Sequence, residues 1–205
     1  MIVAIDGPAG AGKSTVARLL AERLGFSYLD TGAMYRALTW LALERGLDAD
    51  DEAALGTLAA GAPVGFNGTR VEIAGVDVTS EIRTHRIDVA VPAVARHPSV
   101  REIMRARQRE LAETQDAVVE GRDIGTVVAP HAEVKVFLVA DPSVRAGRRL
   151  AERPDADAEE LRRRDESDAE RTLKADDAQL VDTTDMTVDE VVAAIEALVR
   201  ERAAR

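Results

Sequence analysis

Residues 7–14 read Gly-Pro-Ala-Gly-Ala-Gly-Lys-Ser, and no other stretch of this 205-residue chain limits its fold so strongly. The spacing is G-x-x-x-x-G-K-[ST], with an apolar run before it at residues 2–5 and a helical pattern after it. Glycines let the backbone curl until successive N–H groups face one phosphate, and the following helix adds its positive dipole end. The expected ATP-binding residues are Gly7, Pro8, Ala9, Gly10, Ala11, Gly12, Lys13, Ser14 and Thr15. Lys13 supplies a point charge for the β- and γ-phosphates, and the Ser14 hydroxyl is the expected Mg²⁺ ligand. The loop names a nucleoside triphosphate but not a reaction. A GTPase switch would also need an Asn/Thr-Lys-x-Asp segment, and Leu173-Lys174-Ala175-Asp176 has the wrong first residue.

Strand and helix patterns alternate along the chain, which predicts an α/β fold with a parallel sheet covered on both faces. Short strands are expected at 2–5, 28–29, 117–119, 134–139 and 180–181. The first helix carries Val16, Leu19, Leu20 and Leu24 on one side and ends at Gly25. Further helices are expected at 33–45, 51–60, 80–95 and 99–115, from Pro142 to near Pro154, and after a capping box at Thr187 and Glu190. Ser99 and Glu102 have the same capping spacing. Residues 64–79 differ in texture. Asn67-Gly68 between β-type runs and the Gly75 turn predict a small antiparallel insertion, at 62–80 overall.

Composition narrows the functional classes. The chain has no Cys, which removes disulfides, thiolate metal sites and Cys nucleophiles. A net charge of −10 makes it a poor nonspecific binder of nucleic acid polymers or anionic membranes. The opening Met-Ile-Val-Ala-Ile-Asp lacks the features of a signal peptide, and no apolar run approaches the ~18 residues of a spanning helix. A cytoplasmic location is expected. Lysine occurs only at positions 13, 135 and 174. His85, His97 and His131 are expected at the surface.

Two other segments carry chemistry. Asp30-Thr31-Gly32-Ala33-Met34-Tyr35-Arg36 follows the second strand, where ligands bind in doubly wound sheets. Arg36, one turn into a helix, has the reach for a phosphate, and Tyr35 offers a flat face with a polar tip. Glu120-Gly121-Arg122-Asp123-Ile124-Gly125 leaves a third strand at the same edge. There an Arg can fork onto phosphate oxygens and a carboxylate can accept from an exocyclic amine. A helix start with a surface Arg, and a structural Arg–Asp turn, are the plainer alternatives for these two segments.

With these segments in this order, the chain resembles the bacterial cytidylate kinases along nearly its whole length. Val78-Thr79-Ser80-Glu81-Ile82-Arg83, Pro98-Ser99-Val100-Arg101, Thr126-Val127-Val128 and the stretch from Arg164-Asp165 to Arg171 carry the same resemblance. It implies a P-loop nucleoside monophosphate kinase fold with an acceptor-binding region at about 31–115 and a mobile lid at about 149–171. It also implies transfer of the γ-phosphate of ATP to CMP or dCMP by a monomer. By the same resemblance, Arg36 and Arg122 hold the acceptor phosphate, and Thr31, Arg101 and Asp123 surround cytosine. Tyr35, Arg164 and Asp168 lie against the sugar, Arg171 lies near the acceptor nucleotide, and Arg149 belongs to the lid over ATP. Lys13, Arg122, Arg149 and Arg164 form the implied catalytic set. Two positions depart from the family pattern: Pro92 stands where a Ser is common, and residues 172–178 replace a common Pro-Leu. The alternatives are another small-acceptor kinase, of the adenylate, guanylate or shikimate type, and a nucleotide sensor without turnover.

Overall fold

A computed structural model describes residues 1–152 and 172–204. In chain order the elements are β1 (Ile2–Asp6), α1 (Lys13–Leu24), β2 (Ser27–Asp30), α2 (Thr31–Glu44), α3 (Glu52–Gly61), β3 (Val64–Asn67), β4 (Arg70–Ile73) and β5 (Val76–Asp77). They continue with α4 (His85–Ala95), α5 (Pro98–Ala112), β6 (Ala117–Gly121), β7 (Val134–Val139), α6 (Pro142–Glu152), β8 (Gln179–Asp182) and α7 (Val188–Ala203). The chain divides into two compact units, Met1–Leu29 with Ala112–Arg205, and Asp30–Leu111.

The first unit is built on a five-stranded sheet of order β2-β6-β1-β7-β8. β1 is central and pairs in parallel with β6 (Ile2↔Ala117 to Asp6↔Gly121) and with β7 (Val3↔Val134 to Asp6↔Phe137). Every residue of β1 is buried, which is why its sequence reads as an unbroken apolar run rather than an alternation. One apolar core joins Val3, Ile5, Leu20, Val118, Val136, Leu138, Val192 and Ile195. Gly25 caps α1 with φ 68°, and Thr187 and Glu190 form the reciprocal capping box of α7, both as the sequence implied. Because the strands are parallel, their carboxyl ends deliver the phosphate loop, the Arg122-Asp123 loop and Thr183 to one sheet edge.

The second unit has its own apolar interior, including Met34, Leu38, Leu55, Ile73, Ile82 and Ile87. Its antiparallel sheet, β3-β4-β5, is the expected insertion. Asn67 pairs with Arg70, so Gly68 is the first of two turn residues, with φ 60°. The next turn, Ala74-Gly75, has positive φ at both positions, 52° and 75°. Ala74 is the one described non-glycine residue with positive φ.

Several sequence expectations need correction. The helix predicted at 80–95 is a 3₁₀ turn at Glu81–Arg83 followed, after extended Thr84, by α4. Ser99 does not cap the next helix: α5 begins at Pro98, the His97 carbonyl accepts from the Arg101 N–H, and the Ser99 N–H donates to Glu52 Oε1 at 3.1 Å. His97 is buried, with Nε2 2.8 Å from the Ala49 carbonyl, so it is an interior residue of the second unit. Among the described residues no helix is long and apolar enough to cross a membrane.

Candidate active site

The phosphate loop connects β1 to α1 and curls through three glycines with positive φ: Gly7 147°, Gly10 74° and Gly12 92°. At Gly7 the need for glycine is also steric, because a Cβ there would lie 2.2 Å from the Leu138 carbonyl oxygen. At Gly10 a Cβ would lie 2.7 Å from the Arg145 carbonyl oxygen. Lys13 opens α1 and donates from Nζ to the Pro8 carbonyl at 2.8 Å, so its ammonium lies on the loop it is expected to serve. Pro8, Gly10 and Gly12 are half-buried, Ala9 and Ala11 are buried, and Ser14 and Thr15 are exposed.

Ser14 Oγ donates to Glu120 Oε2 at 3.0 Å, and Tyr28 Oη donates to Glu120 Oε1 at 2.5 Å. Glu120 is 3% exposed, so the phosphate loop has a buried carboxylate beside its hydroxyl. In the sequence Glu120 stands out only as the first residue of the Arg-Asp segment. Its signal was a carboxylate at the carboxyl end of a buried apolar strand, where burial of a charge requires partners. A hydroxyl with a carboxylate is the hard-oxygen donor set that suits Mg²⁺, which normally completes its shell with water and substrate phosphate. Among the described residues no cluster of three or more His, Cys, Asp or Glu side chains could hold a metal alone.

The Arg122-Asp123 loop is fixed at three points, one on the phosphate loop and two on the end of β1. Arg122 Nη1 donates to the Gly7 carbonyl at 2.7 Å. Asp6, the last residue of β1, accepts from the Ile124 N–H through Oδ1 and from the Gly125 N–H through Oδ2, both at 2.8 Å. Gly125 is packed closely enough that a Cβ would meet Lys135 Cδ at 3.3 Å. The chain then forms a π-helical turn, Ile124–Val128, in which the Asp123 carbonyl accepts from Val127 and Val128. That turn was not visible in the sequence. From the other side, the Leu173 N–H donates to the Arg122 carbonyl at 2.8 Å, and Lys135 Nζ holds Asp177 at 2.9 Å.

Burial pushes the Asp6 carboxyl up from 3.8 to about 6, with a smaller push from Asp123. The Gly125 and Ile124 N–H groups and Lys13 pull the other way without cancelling it.

Beyond the loop, Arg145 Nη1 donates to the Ala9 carbonyl at 3.0 Å. Arg148 bonds the Gly10 carbonyl through Nη1 and the Thr183 carbonyl through Nη2, at 3.5 and 2.8 Å, and Thr183 Oγ1 donates to the Ala11 carbonyl at 3.1 Å. These contacts brace the phosphate loop from outside, and sequence reading had not singled them out. Arg149 is half-buried near the end of α6. Arg164, Asp168 and Arg171 lie outside the described residues.

In the second unit, Asp30 caps α2 by accepting from the Ala33 N–H at 2.8 Å, and its other oxygen takes Arg83 at 2.9 Å. Thr31 is the buried first residue of α2, and Tyr35 is half-buried one turn on. Arg36 donates to the Ile82 carbonyl at 3.1 Å and pairs with Asp88 at 2.5 Å. Arg101, half-buried on α5, reaches the Ala95 carbonyl at 3.5 Å.

A family model described as cytidylate kinase matches residues 3–201. The chain is 47% identical to a cytidylate kinase of Bacillus licheniformis, with 99% of this chain and 97% of that protein covered. It is 50% identical to a cytidylate kinase of Shouchella clausii, covering 97% and 96%. In shape it is similar to a gluconokinase from Sinorhizobium meliloti, with a TM-score of 0.53, 17% identity and coverage of 98% and 93%. A kinase-type phosphate loop locked to an Arg-Asp loop, a family model matched over residues 3–201, and relatives matched over nearly their full length place this chain in the cytidylate kinase family.

Proposed function

We propose that this protein transfers the γ-phosphate of ATP to CMP or dCMP, giving ADP and CDP or dCDP, and that it does so as a cytoplasmic monomer. The observation that carries the reading is the bond from Arg122 to the Gly7 carbonyl, which ties an Arg-Asp pair to the phosphate loop of a cytidylate kinase family member. A nucleotide sensor has no use for that second pair.

In this reading, ATP phosphates are cradled by Gly7–Ser14 and contacted by Lys13, which leaves the Pro8 carbonyl to reach them. Mg²⁺ bound with ATP would spread the charge of the β- and γ-phosphates, and Ser14 with Glu120 are the residues that would hold it. Arg122 takes the acceptor phosphate and Asp123 takes the 4-amino edge of cytosine. Thr31, Tyr35, Arg36 and Arg101 are the acceptor-binding residues of the second unit, and Arg164, Asp168 and Arg171 complete the set by resemblance. Arg149 and Arg164 add positive charge at the transferred group. The attacking phosphate oxygen has lost most of its proton at neutral pH, since a monoester has a second pKa near ~6. No strong general base is therefore required, and the chemistry rests on orientation and charge.

A coupled ADP-release assay with CMP, dCMP, UMP, AMP, GMP and shikimate tests the assignment. Turnover that needs Mg²⁺ and is fastest with CMP or dCMP is expected. ADP release independent of any of these acceptors would overturn it. Sedimentation at assay concentration tests the monomer.

A further inference from the structure

We propose that Asp88 sets the affinity for the acceptor's phosphate, by holding Arg36 in an internal ion pair with which an incoming monophosphate must compete. The inference rests on the reading of Arg36 as an acceptor-phosphate residue.

Both partners are withdrawn from water, with side chains 11% and 9% exposed, and lie 2.5 Å apart. The Ile82 carbonyl holds a second Arg36 nitrogen. Asp88 therefore already neutralises the charge that a phosphate would seek. A monophosphate carries nearly two negative charges at neutral pH, so it meets repulsion from the carboxylate along with attraction from the guanidinium. At a protein's effective dielectric, one unit charge a few ångström away changes an equilibrium by more than about tenfold. The pair also sits at a soft place in its helix. Pro92 lies inside α4, four residues after Asp88, and has no N–H for the Asp88 carbonyl. The first turn of α4 thus lacks one rung of its ladder where the carboxylate must yield.

Asp88→Asn removes the charge and nearly keeps the shape. Arg36 then keeps its charge while the Asp88 carboxylate no longer competes for it, and the acceptor phosphate meets one negative charge fewer. In the full-length protein the KM for CMP should fall at least about fivefold. The KM for ATP, and the inhibition constant of cytidine, which has no phosphate, should stay within about twofold. A merely structural role would raise the KM for CMP or move the cytidine constant with it, and either result in folded protein overturns the proposal. Asp88→Thr should repeat the pattern and serves if the Asn variant folds poorly. In the unaltered protein, the Asp88 carboxyl carbon resonance should move on adding CMP and stay on adding cytidine. A resonance that ignores CMP also overturns the proposal. Arg36→Ala tests the underlying reading separately: an unchanged KM for CMP there refutes the role of Arg36 itself.

Discussion

Replacing Asp6 with Asn should change stability by an amount that depends on pH. Asp6 is 4% exposed and its carboxyl is pushed up from 3.8 to about 6, chiefly by burial. Between those values the folded protein keeps a proton that the unfolded chain has lost. The contribution of Asp6 to stability is therefore full below 3.8 and is lost as pH rises through about 6. At ~1.4 kcal/mol per pH unit, that interval amounts to ~3 kcal/mol. Asn never ionises, so it escapes this loss. It offers one carbonyl oxygen where Asp6 offers two, which strands the Ile124 or Gly125 N–H at a cost of ~1–3 kcal/mol. The variant should be the less stable protein near pH 4, by ~1–3 kcal/mol. Near pH 8 it should match or exceed the parent, because the two differences then oppose each other. Urea unfolding of both proteins at the two pH values measures this directly. Taking the difference between proteins cancels the carboxylates remote from Asp6, which titrate alike in each. A difference that is the same at both pH values would refute the reasoning about Asp6.

Four other outcomes are expected. Lys13→Ala should lose at least ~10²-fold in kcat with its unfolding curve little changed, and a folded variant with near-normal turnover would remove the assignment of Lys13. Arg122→Ala should weaken CMP and UMP alike, because phosphate carries no base identity, and should also raise the KM for ATP, because Gly7 loses a partner. Asp123→Ala should instead narrow the CMP:UMP ratio of kcat/KM, by about fivefold or more; equal changes of that ratio in the two variants would refute the division of roles. Ala74→Asn should stabilise the protein by about 0.5–1 kcal/mol, since Asn tolerates the positive φ that Ala74 adopts before Gly75. A lower melting temperature would contradict that account.

How much could be read in the sequence follows from how local each cause is. The phosphate loop was legible because its glycines, its Lys and its Ser act within eight consecutive residues. The β3–β4 hairpin was legible because a two-residue turn declares itself through Gly68. The clasp of Asp6 was not, since it joins β1 to backbone N–H groups 118 and 119 residues away, and nothing in Ile124 or Gly125 advertises an acceptor. Glu120 was legible only as the first residue of the Arg-Asp segment, because the hydroxyls of Ser14 and Tyr28 that bind its two oxygens are remote in sequence. His97 was misread because its partner is a main-chain carbonyl, which has no signature in side-chain pattern. Ser99 and Glu102 have the spacing of a capping box, but Glu52 reaches the Ser99 N–H first.

The division into two units also has a consequence for the order in which the chain can acquire structure. The unit Asp30–Leu111 is one uninterrupted run, whereas its companion is assembled from two pieces on either side of that run. β1 precedes that run in the chain, yet Ile2 has no sheet neighbour until Ala117 exists, and Val3 waits first for Val118 and then for Val134. During synthesis, the intervening run can close its own contacts while β1 has nothing to pair with. The central strand is thus an early segment that must await later ones, and closing that long loop slows the step. Amide labelling during refolding should protect Val71 and Ile73 of β4 before Val3 and Ile5 of β1.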